Sequence, residues 1–379
     1  MNPIGIYIHA PFCTEKCPYC DFYSMPRAFS DMDAYTKAVI RDLRAYAGNG
    51  LQADTLYFGG GTPSLLGAAR IGEIIGAVRE WFGLSKGEIT VEVNPTAQET
   101  WLENLFHGFA QAGVNRISVG MQSANEMELR QLGRRHTPRQ AGRTVELARA
   151  AGISHVSLDL MLAIPGQTPE SLMHTLAFCG ETKAEHLSAY LLKIEPGTPF
   201  DTQRETLRPL LPQEEQVEEL YLLAVAELER QGYEQYEISN FARRQNGVLL
   251  EGKHNKKYWC AQEYLGIGPS AHSYLFGKRF YSPADLGRFL QGCQTLPDGD
   301  GGGREEFAML RLRLREGLCD SVWQAQFSEP LPRDYVRRAK KFVPAGLVRL
   351  CDTEPGFSLT PKGFLLSNAL IGEILFGRS

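Results

Sequence analysis

The chain has 379 residues, of which 43% are hydrophobic and 22% charged, a composition typical of a folded protein of roughly two or three domains. Its formal net charge of -4 excludes a globally basic surface that would favour nucleic acid or an anionic membrane. No signal peptide and no apolar run of about 18 residues is recognisable. We therefore expect a cytoplasmic protein whose thiols are reduced.

The first half of the chain alternates between strand-like and helix-like segments. Helical patterns include 33–47 and 137–152, in which Thr137 is the expected N-cap and Gly152 the expected stop. Buried strands, close to continuously apolar as in a parallel sheet, are expected at 5–10, 55–60, 89–95, 116–123, 155–162 and 186–194. Strand–helix units with right-handed crossovers predict an α/β fold in which a parallel sheet curls into a partial (βα)6 barrel.

The alternation of strand-like and helix-like segments ends near residue 212, and the rest of the chain does not continue this pattern. We predict four regions: a core barrel at 1–211, a barrel-completing and connecting region at 212–296, a Gly-rich linker at 297–304, and a C-terminal helical domain with a short hairpin at 305–379. The end of the last region, FSLTPKGFLLSN, resembles a winged helix. The basic run at 333–341 is interpreted as a solvated helix face because the chain as a whole is acidic, so no nucleic-acid partner is expected.

Polar residues gather where the predicted strands end. In a parallel barrel the carboxyl ends of the strands form one mouth, so side chains at these ends would surround one site. Any one of them could be an ordinary turn or strand-end residue, and only their joint placement indicates a site. A cysteine-rich loop follows the first strand and FGGGTP ends the second, while later strands end in or carry Glu92, Asn94, Gln122, Ser123 and Asp159.

The loop CTEKCPYC brings Cys13, Cys17 and Cys20 together within eight residues. Clustered cysteines in a reducing compartment more often bind metal than form disulfides. Three thiolates can hold a cubane iron–sulfur cluster and leave one iron open to a substrate. Their spacing does not match the paired halves of a zinc ribbon. Small buried hydrophobes are the expectation for the scattered cysteines, Cys179, Cys260, Cys293, Cys319 and Cys351.

The cysteine loop resembles the C-x3-C-x2-C signature of the radical S-adenosylmethionine superfamily, including the aromatic Tyr19 before the third cysteine. The resemblance implies a [4Fe-4S] cluster with three Cys ligands, whose open iron chelates S-adenosyl-L-methionine. In that superfamily, an electron from the cluster cleaves the sulfonium to a 5′-deoxyadenosyl radical.

Further motifs resemble, in order, the oxygen-independent coproporphyrinogen III oxidase-like branch over about residues 4–370: IYIHAPFC, YFGGGTPS, VEVNP, ISVGMQS, LGRRHT, DLMLAIPGQT, HNKKYW and LGIGPSAHS. Strand-end glycines allow backbone to approach a ligand, carboxylates accept from hydroxyls or ammonium, and arginine donates to a carboxylate. The resemblance implies cofactor contacts from Tyr7, Tyr19, Gly60, Gly61, Thr62, Glu92, Gln122, Arg134 and Asp159.

Within that branch, the chain departs from the coproporphyrinogen dehydrogenases at two points. Only 12 residues precede Cys13, fewer than in those enzymes, and Phe22 stands where those enzymes carry a further cysteine. The chain is more similar to the HemW-type heme chaperones, which share an H-N-x-x-Y-W motif. Imidazole ligates iron and aromatic rings stack on the macrocycle, so the implied heme candidates are His254, Asn255, Tyr258, Trp259 and His272.

The resemblance thus implies heme as cargo, delivered to acceptor hemoproteins in the cytoplasm or at the inner face of a membrane. Two alternatives stay open: a radical enzyme acting on a porphyrinogen, and a nucleic-acid-binding regulator that uses the C-terminal module. No catalytic residue is assigned, and the sequence does not decide whether the protein forms a homodimer.

Overall fold

The computed structural model describes residues 3–26 and 29–377. Its strands are β1 (Ile4–Ala10), β2 (Phe12–Cys13), β3 (Met25–Pro26), β4 (Ala53–Gly60), β5 (Glu88–Val93), β6 (Arg116–Gln122), β7 (His155–Leu162), β8 (His186–Leu191), β9 (Tyr233–Gln235), β10 (Asn240–Gln245), β11 (Val248–Leu249), β12 (Tyr264–Ile267), β13 (His272–Leu275), β14 (Lys278–Tyr281), β15 (Leu296–Asp300), β16 (Leu318–Cys319), β17 (Val348–Leu350) and β18 (Gly356–Leu359).

The helices alternate with these strands in the first half of the chain and dominate its end. They are α1 (Phe29–Ala45), α2 (Gly67–Phe82), α3 (Glu99–Ala112), α4 (Glu126–Gln131), α5 (Pro138–Ala150), α6 (Pro169–Thr182), α7 (Pro199–Thr202), α8 (Arg204–Leu207), α9 (Glu214–Arg230), α10 (Lys253–Trp259), α11 (Leu286–Gln291), α12 (Arg304–Arg311), α13 (Asp320–Phe327), α14 (Arg333–Lys340), α15 (Pro361–Leu365) and α16 (Ser367–Phe376). Among the described residues, none of these helices combines the length and the apolarity that a membrane span requires.

The six predicted strands are confirmed as parallel neighbours, in the order β8-β7-β6-β5-β4-β1. β12 adds a further parallel strand beside β1, followed by antiparallel β13, β14 and β15, while β10 runs antiparallel beside β8. Within the described residues, β11 and β15 remain as the two ends of this strand path. The sheet is therefore the open, partial barrel that the sequence predicts.

The barrel strands alternate between apolar and polar residues, which corrects the expectation of nearly continuous apolar runs. On β6, Ile117 and Val119 are fully buried in the core. Arg116 and Ser118, at the intervening positions, line a cavity inside the barrel. Because successive side chains of a strand point to opposite faces, one face packs on the helices while the other surrounds the cavity.

Helix α5 shows that local sequence signals set the helix ends. The Thr137 side chain accepts from the Gln140 N–H at 3.3 Å, and the Gln140 side chain accepts from the Thr137 N–H at 2.9 Å. Pro138 occupies the first turn, and Gly152 follows the helix with a φ of 87°. The predicted cap and stop are thus confirmed.

Residues 297–300 of the predicted linker belong instead to β15 (Leu296–Asp300), at the edge of the sheet. An edge strand tolerates Pro297 because one side of its backbone needs no partner, and Lys278 pairs with Asp300 across it. The rest of the proposed division into regions stays a prediction. The C-terminal region is helical, with the predicted hairpin present as β17 and β18 in a sheet ordered β16-β18-β17.

Candidate functional site

A cavity of about 530 Å³ opens at the carboxyl ends of the barrel strands. The structure brings the predicted cluster and cofactor residues together here, since its walls include Cys13, Cys17, Tyr19, Cys20, Gly60, Gly61, Thr62, Glu92, Gln122, Arg134 and Asp159. Tyr7 lies one layer behind, with its ring 6.2 Å from that of Tyr57, which does line the cavity. The grouping follows from the parallel sheet, which carries every strand end to one rim.

The three loop cysteines are free, half-exposed thiols at the mouth of the cavity. The Cys20 N–H donates to the Cys17 carbonyl at 3.1 Å, and the Thr62 hydroxyl donates to Cys13 Sγ at 3.6 Å. Burial raises the pKa of the Cys20 thiol, and the neighbouring Cys17 and Cys13 raise it further. No three His, Cys, Asp or Glu side chains of the described residues converge to hold one metal ion. A cubane cluster does not require such convergence, because each cysteine ligates a different iron.

Arg134 supplies a partly buried positive charge beside this loop. Its Nη1 donates to Asn94 Oδ1 at 3.0 Å and its Nη2 donates to the Gly120 carbonyl at 3.4 Å. Its Nε is buried and has no hydrogen-bond partner among the described residues. Burying a donor without an acceptor costs free energy, so this atom is suited to donate a hydrogen bond to a ligand.

Two carboxyl groups, Glu92 and Asp159, lie deep in the same cavity without an ion pair to any described residue. Glu92 Oε1 accepts from the Tyr57 hydroxyl at 2.8 Å, and Ser118 donates to Asp159 at 2.9 Å. Burial, followed by repulsion from Asp159, raises the pKa of Glu92 to about 8. Burial also raises the pKa of Asp159. Buried acids of this kind favour a cationic ligand, because a positive charge offsets their desolvation.

The two glycines have a structural reason that the sequence analysis did not give. Gly60 has a φ of 103°, and a Cβ there would lie 2.6 Å from the His9 ring. A Cβ on Gly61 would lie 2.7 Å from the Phe12 carbonyl oxygen. The glycines are thus required by packing within the protein itself, whether or not a ligand approaches their backbone.

The predicted heme residues do not gather around one cavity. Asn255 lines the cavity described above, whereas His254, Tyr258, Trp259 and His272 do not. The His254 ring is buried, with Nδ1 2.9 Å from Thr55 Oγ1 and Nε2 2.7 Å from the Tyr258 hydroxyl. Ligation of iron by His254 stays a prediction, and it requires the ring to leave one of these partners.

His272 is placed differently from His254. Its side chain is 58% exposed, and its ring stacks on that of Tyr281 with centroids 5.1 Å apart. Its Nδ1 lies 3.7 Å from an Asp298 carboxylate oxygen. His272 is therefore accessible from solvent, on a strand that lies outside the wall of the cavity.

Sequence reasoning missed the polar residues on the inner face of the barrel. These side chains line the cavity below the predicted cofactor residues, and they are Thr90, Arg116, Ser118, Ser157, His186 and Ser188. Their signal was available as polar residues at every second position of the predicted strands. The expectation for the scattered cysteines is correct for Cys179, which is buried, and wrong for Cys260, Cys293, Cys319 and Cys351, which are half-buried.

Residues 7–179 match the Radical SAM superfamily and residues 304–366 match the HemN C-terminal domain. Heme chaperone HemW of Escherichia coli (strain K12) is 35% identical over 364 residues, which cover 89% of this chain and 92% of that protein. Heme chaperone HemW of Lactococcus lactis is 31% identical, over 99% of this chain and 98% of that protein.

A solved structure extends the likeness to the fold. Coproporphyrinogen III oxidase (HemN) from Escherichia coli superposes with a TM-score of 0.79 and 24% sequence identity, covering 98% of this chain and 90% of that one. At this identity, the superposition shows that the two proteins share one fold, which includes both the barrel and the C-terminal region.

Proposed function

Because the chain belongs to the family of the HemW heme chaperones, we propose that it binds heme and delivers it to acceptor hemoproteins. The observation that carries this proposal is the extent of the likeness. The relatives named heme chaperone match 89% of this chain in one case and 99% in another, so both the barrel and the C-terminal region are included. We place the protein in the cytoplasm, with acceptor hemoproteins there or at a membrane surface. We assign no oligomeric state.

We propose that Cys13, Cys17 and Cys20 hold a [4Fe-4S] cluster at the cavity mouth. The three thiols share one short loop and face the same cavity, which supports this assignment. When bound, the cluster supplies the electron that cleaves S-adenosylmethionine in this superfamily.

S-adenosylmethionine is the proposed occupant of the cavity beside the thiols. The unpaired Nε–H of Arg134 is suited to donate a hydrogen bond to the methionine carboxylate. Glu92 and Asp159 are suited to the positive charges of the ligand and to its ribose hydroxyls, since both line the cavity and desolvation raises the pKa of each. Backbone at Gly60, Gly61 and Thr62, together with Tyr7, Tyr19 and Gln122, completes the proposed surroundings.

The HNKKYW motif is assigned a role in heme binding that does not need direct ligation. His254 anchors α10 to the barrel through Thr55, and Asn255 from the same helix faces the cavity. Tyr258 holds the His254 ring and Trp259 ends the helix. Loss of this motif would then alter heme binding by displacing α10.

Heme transfer to an acceptor tests the proposed function. Anaerobically purified protein is loaded with hemin, separated from free hemin, and mixed with apomyoglobin while the myoglobin Soret band is recorded. We expect stoichiometric loading and transfer faster than from serum albumin carrying the same amount of hemin. Failure to bind hemin would overturn the proposal and favour the radical enzyme, whose turnover of coproporphyrinogen III is measured in parallel.

A further inference from the structure

A second cleft, of about 390 Å³, opens at the opposite end of the barrel, where β5, β6 and β7 begin. Four basic residues lie on its wall: Arg79, Lys86, Arg116 and Lys253. None of the four pairs with a carboxylate in the ranges 3–26 and 29–377. Arg116 is only 5% exposed and lines both this cleft and the interior cavity.

The acidic residues of this cleft are already engaged elsewhere. Glu88 accepts the backbone N–H groups of Lys253 and His254, each at 3.0 Å, and so caps the start of α10. Glu251 accepts from Lys256 Nζ at 2.8 Å. The four basic side chains of the cleft therefore outnumber its two carboxylates, Glu88 and Glu251, on a chain whose formal net charge is -4. Such a concentration of one sign attracts an anionic ligand.

A histidine lies beside the buried arginine. The sheet register pairs Arg116 with His155 on neighbouring parallel strands, which places both side chains on the same face. His155 is half-buried in the cleft wall, and its Nδ1 has no hydrogen-bond partner among the described residues. Burial, followed by the charge of Arg116, lowers the pKa of His155, so the ring is neutral at neutral pH. Neutral imidazole is the form that ligates a metal.

Aliphatic side chains also line part of the cleft, beside polar residues such as Ser85 and Asn115. β10 and β11 form a hairpin over it, in which Val248 is 64% exposed and Leu249 lies beside it. Leu84 and Ile89 contribute from the barrel side. We call the cleft bounded by Arg79, Lys86, Arg116, His155, Val248 and Lys253 the basic cleft.

We propose that the basic cleft holds the heme, with His155 as an axial ligand, the basic residues as partners of the two propionates, and the Val248 hairpin as a contact for the macrocycle. The proposal rests on the proposed function and names the place where that cargo binds. Heme combines an iron, a flat apolar ring and two carboxylates, and the basic cleft offers a group for each. A shallow cleft also suits cargo that must be passed on.

The placement connects the cleft to the HNKKYW helix. Lys253 is the first residue of α10, and its backbone N–H is held by Glu88 next to that of His254. The buried His254 ring fixes this end of the helix through Thr55. Anchoring of His254 therefore sets the position of Lys253 at the basic cleft.

Hemin titration of full-length, cluster-loaded protein tests the ligand. His155→Ala should lower hemin affinity at least about tenfold and shift the Soret band, as loss of an axial imidazole does. In His155→Gly protein, added imidazole should restore the wild-type spectrum. The matched control is His107→Ala, which removes an exposed histidine of α3 whose Nδ1 bonds to its own helix. It should bind hemin like the wild type.

A second comparison tests the charges with exposed residues whose replacement leaves the core intact. Lys86→Glu and Lys253→Glu should each weaken hemin binding by about tenfold, with a much smaller effect on hemin dimethyl ester, which lacks the propionate charges. Circular dichroism and cluster iron content verify that each variant is folded.

The outcomes separate this inference from the proposed function. If wild-type protein binds hemin but His155→Ala and the charge variants bind it equally well, the basic cleft is not the site, while the chaperone function stands. The basic cleft is likewise not the site if only His272→Ala or His254→Gln loses the axial ligand. It is also not the site if the charge variants weaken the binding of hemin and of its dimethyl ester equally. If wild-type protein binds no hemin, both proposals fail.

Discussion

The imidazole Nε2 of His254 and the hydroxyl of Tyr258, four residues apart on α10, lie 2.7 Å from each other. The other ring nitrogen of His254 lies 2.9 Å from Thr55 Oγ1 on β4, so the ring joins the helix to the barrel wall. Burial, followed by the charge of Lys257, lowers the pKa of His254 to about 3. At neutral pH this histidine is an uncharged structural group in the protein interior.

The lowered pKa predicts a pH dependence of stability. In the unfolded chain His254 has a pKa near 6.5, so protons bind the unfolded state first as the pH falls. The contribution of neutral His254 to the free energy of unfolding is complete above about pH 6.5 and is lost as the pH falls from there to about 3. Each such histidine contributes a slope of up to ~1.4 kcal/mol per pH unit to the free energy of unfolding.

Urea unfolding between pH 4.5 and 8 measures this slope in wild-type protein and in His254→Gln. The variant should be less stable at pH 7.5 but should show a smaller slope, because glutamine does not titrate. His136, whose pKa burial lowers to about 4, keeps part of the slope in both proteins. The exposed control His107→Gln should retain the wild-type slope; equal slopes in wild type and His254→Gln would contradict the structural role.

The parallel strands could be predicted from the sequence because each is a short run bounded by helix caps such as Thr137 and stops such as Gly152. The rim of the cavity followed, since topology alone brings strand ends together. The environment of His254 could not be predicted, because its partner Thr55 is 199 positions away in the chain. The inner polar face was overlooked, although the alternation of Arg116, Ser118 and Gln122 encodes it.

The second prediction concerns the three loop thiols. Anaerobic wild-type protein should carry about four irons per chain, and Cys17→Ala should lose most of them because each thiolate holds a separate iron. Cys293→Ala is the matched control, as it also removes a half-buried free thiol but lies away from the cavity. Iron analysis and the visible absorption of the cluster measure both. Full iron content in Cys17→Ala would remove the basis for the cluster assignment.

The third prediction concerns the protonation of Glu92. With a pKa of about 8 before ligand binding, its carboxyl is mostly neutral at pH 7, whereas a sulfonium ligand prefers the ionised form. Affinity for S-adenosylmethionine should therefore rise between pH 6.5 and 8, by at most about tenfold per unit, and level off above pH 8.

Anaerobic calorimetry of S-adenosylmethionine binding in this range measures the effect. Glu92→Gln should bind more weakly and lose most of this rise, because its amide does not ionise. Glu103→Gln, which changes an exposed carboxylate on α3, should preserve the wild-type profile. A wild-type profile in Glu92→Gln would show that this carboxyl does not meet the ligand's charge.

The fourth prediction separates the chaperone from an enzyme of the same fold. The cavity of about 530 Å³ is of the size that holds one drug-sized ligand, so S-adenosylmethionine leaves little room for a porphyrinogen beside it. Phe22 also lines the mouth, 61% exposed, where the dehydrogenases are expected to carry a further thiol.

Protein with a full cluster should therefore not convert coproporphyrinogen III to protoporphyrinogen IX when given S-adenosylmethionine and a reductant. Phe22→Cys should not restore turnover, because removing one exposed ring at the mouth does not enlarge the interior of the cavity. Fluorescence-detected chromatography of the oxidised products measures this turnover, with the Escherichia coli oxidase as positive control. Turnover by wild-type protein at a rate comparable to that control would contradict the chaperone assignment.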